Sequence, residues 1–318
     1  MLTVSETAEA LRTFDNILIL THIRPDGDTV GCAAALCAGL RALGKTAYLL
    51  PNPGLTDTTA PYFISYAAPD GFFPDKVVST DIATVGLFPD NAKPYIGRVD
   101  LAIDHHPSFE HFGKANIVRP EAAACGELMY DILAALGPIT PEMALPLYVA
   151  VSTDTGCFAY ANTTPQTHAV AAALMQTGID YKTVNKVFFR TKTRKRMQLE
   201  GAMLDSMEFY DRDRVAILSV PISLMERVQA TESDAEDLSA LGGQIQGVDC
   251  AVTMRELQPD VWKLSLRTGD RVNATEVCRV MGGGGHRAAA GATIEGPWAD
   301  CRDRVLAAIA QNVPDFTR

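Results

Sequence analysis

Residues 16–28 read NILILTHIRPDGD, and the flanking sequence gives that stretch its meaning. The run 16–20 is short and apolar, which fits a buried strand. Residues 29–43 are rich in Ala and Leu and stop at Gly44, the pattern of a helix with a glycine past its last turn. Between them lie His22, Asp26 and Asp28, and Pro25 and Gly27 make that segment a loop. A strand feeding through a loop into a helix is the unit of a parallel α/β sheet, and ligands bind at the edge where such loops emerge. For Asp26 or Asp28 taken alone, a cap on the following helix is the simpler role.

The same alternation continues outward. Strands are expected at 46–50, 76–80 and 99–103, and helices at 121–136, 141–151, 165–177 and 181–189. This is an α/β domain with a largely parallel sheet. Residues 190–210 read as a long polar helix that begins with the basic cluster RTKTRKR. Beyond it come a strand at 215–220, a short helix at 222–228 and two strands, 248–255 and 261–267, around the turn Gln258-Pro259-Asp260. A helix at 273–280, a glycine run, a strand at 289–294 and a last helix from Trp298 complete the chain. The expected organisation is a first domain over 1–190, a connecting helix over 191–210 and a second domain over 211–318. The acidic run 232–237 reads as a solvated loop or a helix start.

Composition narrows the function. At 318 residues, 47% hydrophobic and 21% charged, the chain is not dominated by disorder. Its 28 Lys and Arg against 38 Asp and Glu give a formal charge of −10, which argues against gripping long duplex nucleic acid. An anionic ligand must then be met at a local basic site or through metal ions. The first residues lack the basic and apolar regions of a signal peptide. The longest uncharged apolar stretches, near 32–40 and 143–151, fall short of the roughly 18 residues that span a bilayer, so no membrane partner is expected. The seven cysteines are scattered without a CxxC pair, the usage of reduced thiols in a cytoplasmic protein, and argue against a cysteine-built zinc site.

Three further segments repeat the chemistry of the first. Asp81 follows the third strand, Asp104-His105-His106 follows the fourth, and Ser152-Thr153-Asp154-Thr155-Gly156 follows an apolar helix. Four segments thus deliver carboxylates and imidazoles to one sheet edge, which points to metal binding. Oxygen and nitrogen ligands without thiolate suit manganese, with magnesium, cobalt or iron as alternatives. Six or seven candidate ligands are too many for one ion. Two ions about 3.5–4 Å apart, sharing a carboxylate, would activate water and neutralise a phosphate. Downstream, residues 282–291 read GGGGHRAAAG. Such a run frees the backbone to point successive N–H groups at an anion, with His286 and Arg287 beside it; a flexible turn is the plainer alternative. Arg267, at the end of an expected strand, is a candidate phosphate ligand by position alone. The cluster Arg190, Lys192, Arg194, Lys195 and Arg196 is equally a phosphate-facing strip or a solvated helix face. His111 and His168 read as surface or structural residues, and the aromatic residues at 158, 160, 188 and 189 as core rather than base-stacking platforms.

Together HIRPDGD at 22–28, Asp81, DHH at 104–106 and STDTG at 152–156 resemble the DHH phosphoesterase superfamily. GGGGH at 282–286 with AAAG at 288–291 resembles its DHH-associated C-terminal domain, and in size the chain is similar to the bifunctional oligoribonuclease/pAp phosphatases, or nano-RNases. The resemblance implies an N-terminal DHH domain with a mainly parallel sheet flanked by helices, a smaller α/β substrate-binding domain, and an active site in the cleft between them. It implies one ion on His22 and Asp26, a second on Asp28 and His105, a bridge through Asp81, and Asp154 completing the first site. His106 would meet the scissile phosphate or tune the second metal, and Asp104 would orient the histidines. Gly283, Gly284, Gly285 and His286, helped by Arg267, would hold the nucleotide or terminal phosphate. The implied reaction is hydrolysis of oligoribonucleotides of a few nucleotides to 5′-mononucleotides, or of pAp to AMP and phosphate, by a hydroxide bridging two divalent ions, manganese first. The implied partners are short RNA or small nucleotides, with a homodimer allowed.

Three positions depart from the pattern and bear on specificity: Arg24 inside the first metal loop, Cys32 in place of a frequent Ser, and Ala159 where a larger or basic side chain is expected. A soluble phosphodiesterase of cyclic-di-AMP or linear dinucleotides is the nearest rival. A RecJ-like exonuclease needs a longer chain, a family II pyrophosphatase lacks the GGGGH feature, and a non-catalytic nucleotide-binding module would be expected to have lost a ligand.

Overall fold

Strand β1 (Ile17–Leu20) is buried along its whole length, and its side chains alternate between two separate cores. Ile17 and Ile19 pack into one cluster, Leu18 and Leu20 into another. Period-two alternation with apolar residues on both faces belongs to a central strand covered on both sides. With β2 (Ala47–Leu49), β3 (Lys76–Thr80), β4 (Leu101–Asp104) and β5 (Ala115–Val118) it forms a parallel sheet in the order β2-β1-β3-β4-β5. The computed structural model describes residues 1–235, 238–313 and 315–317, and the chain divides into two units, Met1–Thr191 and Lys192–Arg318.

Helices α1 (Val4–Thr13), α2 (Gly27–Ala42), the single turn α3 (Ala60–Phe63), α4 (Cys125–Leu136), α5 (Pro141–Asp154), α6 (Pro165–Gln176) and α7 (Tyr181–Asn185) supply the larger core of the first unit. The smaller core beneath the other face is closed by short 3-10 segments at Val85–Leu87 and Asp90–Tyr95 and by their flanking loops. Every residue from Gly27 to Leu40 of α2 is buried, because α5 lies directly against it. A Cβ on Gly27 would stand 2.3 Å from Thr153 Oγ1, and one on Gly31 would stand 2.3 Å from the Pro146 carbonyl. Glycines four apart share a helix face, so the two backbones can touch there. That contact brings the start of α2, with Asp26 and Asp28, to the end of α5, with Asp154.

The second unit carries a mixed sheet in the order β10-β11-β9-β8-β7-β6, made of β6 (Glu208–Tyr210), β7 (Val215–Val220), β8 (Cys250–Gln258), β9 (Val261–Thr268), β10 (Gly284–His286) and β11 (Ala289–Glu295). Only the β7–β8 pair is parallel. Val215 and Ile217 face the core shared with α10 (Ala274–Arg279) and α11 (Trp298–Asn312). Ala216, Leu218 and Val220 face the core shared with α8 (Arg194–Asp205) and α9 (Ile222–Val228).

The single helix expected over 190–210 is not one element. A π-helical turn at Lys186–Arg190 ends the first unit, α8 starts afresh at Arg194, and 208–210 form β6. Thr193 makes the break: its hydroxyl caps α8 by accepting from the Arg196 N–H at 2.9 Å. The acidic run is less solvated than expected. Asp234 is buried and accepts from the hydroxyls of Thr193 and Thr231, while Glu236 and Asp237 lie outside the described residues. Among the described residues no helix is long and apolar enough to cross a membrane. All seven cysteines are free, and all but Cys157 are buried.

Candidate active site

The loop after β1 is fixed by Asn52, whose Nδ2 donates to Thr21 Oγ1 at 2.9 Å and to the His22 carbonyl at 2.8 Å. Asp26 caps α2, its Oδ1 accepting from the N–H groups of Asp28 (3.0 Å) and Thr29 (3.1 Å). The same oxygen stands 3.5 Å from His22 Nε2. Capping and participation in the site therefore coexist in one side chain.

Asp28 has a different task. Its side chain is 1% exposed, and it accepts from the N–H groups of Cys125 at 2.7 Å and Gly126 at 3.0 Å. These are the first residues of α4, whose own N-cap, Ala124, has no side-chain acceptor. A carboxylate from α2 thus satisfies the orphan donors of a distant helix and gains from its dipole. Cys32 Sγ adds a donor to Asp28 Oδ1 at 3.3 Å, the place a serine hydroxyl would take.

Asp81 follows β3 in the left-handed region, at φ 57°. Aspartate tolerates this better than most residues. Its Oδ2 lies 3.9 Å from His22 Nε2, and its Oδ1 lies 3.6 Å from His105 Nε2 and 3.5 Å from His106 Nδ1. His105 is oriented by Nδ1, which is 3.1 Å from the Ala122 carbonyl; its Nε2 then faces Asp28 (3.8 Å), Asp81 and Asp154 (3.5 Å). His106 turns the other way. Its Nδ1 and its backbone N–H both contact Asp104 Oδ1, at 2.9 and 2.6 Å, and Asp104 is fully buried. Asp154 closes α5, and Asn162 ties that helix end down by donating to the carbonyls of Asp154 (3.1 Å) and Ala123 (3.0 Å).

The electrostatics of the cluster follow from burial and crowded charge. Burial, reinforced by the neighbouring charges of Asp154 and Asp26, holds the Asp28 carboxyl well above the usual range. Burial and then the charge of Asp28 do the same at Asp81. Burial and the charge of Asp26 push Asp154 up to about 7. At Asp26 burial acts in the same sense but is outweighed by His22 and by the N–H groups of Thr29 and Asp28, so its pKa falls. Burial lowers His105, whereas the hydrogen bond to Asp104 outweighs burial and raises His106. The His–Asp separations of 3.5–3.9 Å around Asp81 exceed charge-assisted hydrogen bonds. Asp81 Oδ1 is buried with no hydrogen-bond partner.

Crowded carboxylates, hard oxygen and nitrogen donors and an orphaned buried oxygen fit divalent cations. Three sets offer ligand atoms within 4.8 Å of one another: His22, Asp26 and Asp81; Asp81, His105 and His106; and Asp28, His105 and Asp154. Asp81 belongs to two of them, as a bridge requires. Asp154 falls with Asp28 and His105, where the resemblance implied a place beside His22 and Asp26. All six expected ligands, with His106 and Asp104, therefore come together at one end of the parallel sheet.

The residues expected to bind substrate lie in the second unit. The glycine run is not an open loop, since Gly284, Gly285 and His286 pair with Gly291, Ala290 and Ala289 as the edge strand β10. Close approach explains the glycines. A Cβ on Gly283 would stand 2.1 Å from the Gly291 carbonyl, and one on Gly285 would stand 2.6 Å from that of Ala289. His286 is exposed, and Arg267, in β9, is half-buried with Nη1 donating to the Leu266 carbonyl at 3.0 Å. Of the basic cluster, Lys192 and Arg196 are engaged with Glu200, while Arg190, Arg194 and Lys195 are exposed. Tyr160 is 59% exposed and so is not core, whereas Phe158 is half-buried and stacks on His168. The sequence reading missed the Ala122 carbonyl, the Cys125 and Gly126 N–H groups, and Asn162. The first three are backbone groups with no side-chain signature, and Asn162 has only its nearness to the fourth motif.

Comparison with known proteins identifies both domains. Residues 16–151 match the DHH family, N-terminal domain, and residues 223–314 match the DHHA1 domain. The chain is 32% identical to the bifunctional oligoribonuclease and PAP phosphatase NrnA of Thermus thermophilus, over 96% of this chain and 93% of that one. It is 25% identical to the Bacillus subtilis protein of the same name, over 95% and 96%. Its fold is similar to that of an exopolyphosphatase-related protein from Bacteroides fragilis, with TM-score 0.88, 22% identity and coverage of 98% and 96%.

Proposed function

The chain belongs to the DHH family, a phosphoester hydrolase with a DHH N-terminal domain and a DHHA1 domain, and on that premise we propose that it cleaves oligoribonucleotides of a few nucleotides to 5′-mononucleotides and converts pAp to AMP and phosphate. The observation that carries the chemistry is Asp81, a buried carboxylate with one oxygen toward His22 and the other toward His105. His22, Asp26 and Asp81 would hold one ion, and Asp28, His105, Asp154 and Asp81 the other. Bound there, two divalent ions, manganese first among the candidates, supply a lowered pKa for water and neutralise charge on the phosphoryl group.

The protein's own groups do the rest. Asp104 fixes the His106 ring through Nδ1 and raises its pKa, which favours the protonated ring that would donate to a phosphoryl oxygen or the leaving oxygen. The Ala122 carbonyl holds His105 in the tautomer that presents a bare Nε2 to an ion. In the second unit Arg267, the hairpin at Gly283, Gly284 and Gly285, and exposed His286 would hold the far end of the substrate. Buried free cysteines support action in the cytoplasm.

The test is hydrolysis by metal-stripped protein, with and without manganese, of pAp, a 5′-phosphorylated RNA dinucleotide, cyclic-di-AMP and pyrophosphate. Manganese-dependent release of mononucleotide and of AMP is the expected result. Preferential cleavage of cyclic-di-AMP would move the assignment to signalling nucleotides. Silence on all four from protein carrying two ions per chain would overturn the substrate class.

A further inference from the structure

Arg24 lines the same pocket as His22, Asp26, Asp81, His106 and Asp154. It is exposed, and among the described residues its guanidinium makes no ion pair and no hydrogen bond. This is unusual for a five-donor planar cation beside three carboxylates. The carboxylates face the cluster: Asp26 caps α2 beside His22, and Asp81 and Asp154 stand 3.6 and 3.5 Å from His105 Nε2. The backbone on both sides of Arg24 is held. Ile23 N–H donates to the Leu87 carbonyl at 2.8 Å, the His22 carbonyl accepts from Asn52, and Pro25 is buried. The loop packs so closely on Gly54 that a Cβ there would stand 2.4 Å from the Ile23 carbonyl. A free cation on a fixed loop is preorganised for an anion arriving from solvent.

We propose that Arg24 is a specificity-determining residue that pairs with the terminal phosphate of a nucleotide, so that this site favours phosphomonoesters over phosphodiesters. The inference rests on the functional reading above. A phosphomonoester carries about −1.5 to −2 charge near pH 7, more than the single charge of a diester. A monoester has three terminal oxygens and a diester two, so a grip that uses two leaves a third only in the monoester. Guanidinium matches such oxygens with two parallel donors. Arg24 thereby tilts one hydrolytic centre toward pAp without a second active site.

The experiment compares the manganese-loaded full-length wild type with Arg24→Gln and Arg24→Lys. The substrates are pAp and the dinucleotide ApA, which has no terminal phosphate. In Arg24→Gln the ratio of kcat/KM for pAp to that for ApA should fall by about 10–100-fold, the range of one charge-assisted contact. Arg24→Lys should lie between, keeping the charge and losing the fork. The inhibition constant of inorganic phosphate against ApA cleavage should rise in the same order. An unchanged ratio, or an inhibition constant for phosphate that does not move, overturns the proposal. If the wild type cleaves neither substrate, the functional reading fails, and calorimetry with inorganic phosphate decides Arg24 separately: equal affinity in wild type and Arg24→Gln overturns it.

Discussion

The metal-ligand edge of the first unit and the glycine hairpin of the second are opposite solutions to presenting polar groups. At the first, carboxylates are crowded, Asp28 and Asp81 are buried and raised in pKa, and Asp26 and Asp28 each satisfy the start of a helix. At the second, the backbone is satisfied by pairing with β11 and the side chains of His286 and Arg287 stand in solvent. Buried like charges held close together cost stability until a cation arrives. Side chains on an edge hairpin cost almost nothing, so the two regions should respond differently to the same kind of change.

The largest effect belongs to Asp81→Asn. It removes the carboxylate proposed to be shared between the ions, and kcat/KM should fall by about 10³-fold or more, since several kcal/mol of transition-state stabilisation would go with the ions. It also removes a buried charge that has no hydrogen-bond partner, so the metal-free variant should melt higher than the metal-free wild type near pH 8. A lower melting temperature would break the contrast between the two regions.

Titration of the metal-free protein comes next. Carboxyls whose folded pKa is raised contribute stability below their ordinary value of 3.8 and lose it as pH rises through the folded value. Asp154 places that loss between 3.8 and about 7, with Asp28 and Asp81 extending it upward. The melting temperature of stripped protein should therefore decline across that window. Asp26, lowered, acts in the opposite sense below 3.8, and His105, also lowered, does so below 6.5, inside the window, so the carboxyls are opposed there by one imidazole. Saturating manganese should reduce the decline, and identical melting curves with and without the ion would contradict the account.

On the other side of the comparison, His286→Ala should raise KM for pAp about tenfold, the order of one hydrogen bond to a charged group. Its stability should change by less than about 0.5 kcal/mol, as at other exposed positions. The glycines sharpen the contrast further. Gly283→Ala collides with the Gly291 carbonyl and should cost about 1–3 kcal/mol in chemical denaturation, whereas Gly284, with open space around it, should accept Ala within about 0.5 kcal/mol.

Legibility in the sequence followed the same divide. The apolar run at 16–20, the helix behind it and the four polar segments were readable because each joins a hydrophobic period to a chemically distinct loop. Asp26 was readable twice, as cap and as candidate ligand; it caps α2 and lies within the cluster that His22 and Asp81 form. The hairpin at Gly284–His286 was not, because glycine and histidine carry no strand preference and edge pairing is decided by the partner. The break at Thr193 was hidden inside a helical composition, where one hydroxyl decided the matter. The place of Asp154 beside Asp28 and His105 depended on glycine contacts between α2 and α5 that no local pattern announces.

The link from Asp28 to the N–H of Cys125 spans 97 positions of chain. Closing so long a loop is entropically costly and gains nothing until both ends are structured. On a ribosome the carboxylate therefore emerges long before its partners and waits, unpaired, for the start of α4. A contact of that sequence separation is expected to form late, so folding studies should find this edge outside the nucleus. A nascent chain cut short before α4 would carry the HIRPDGD loop yet lack the scaffold that holds it, which delays loading with metal until the first unit is whole.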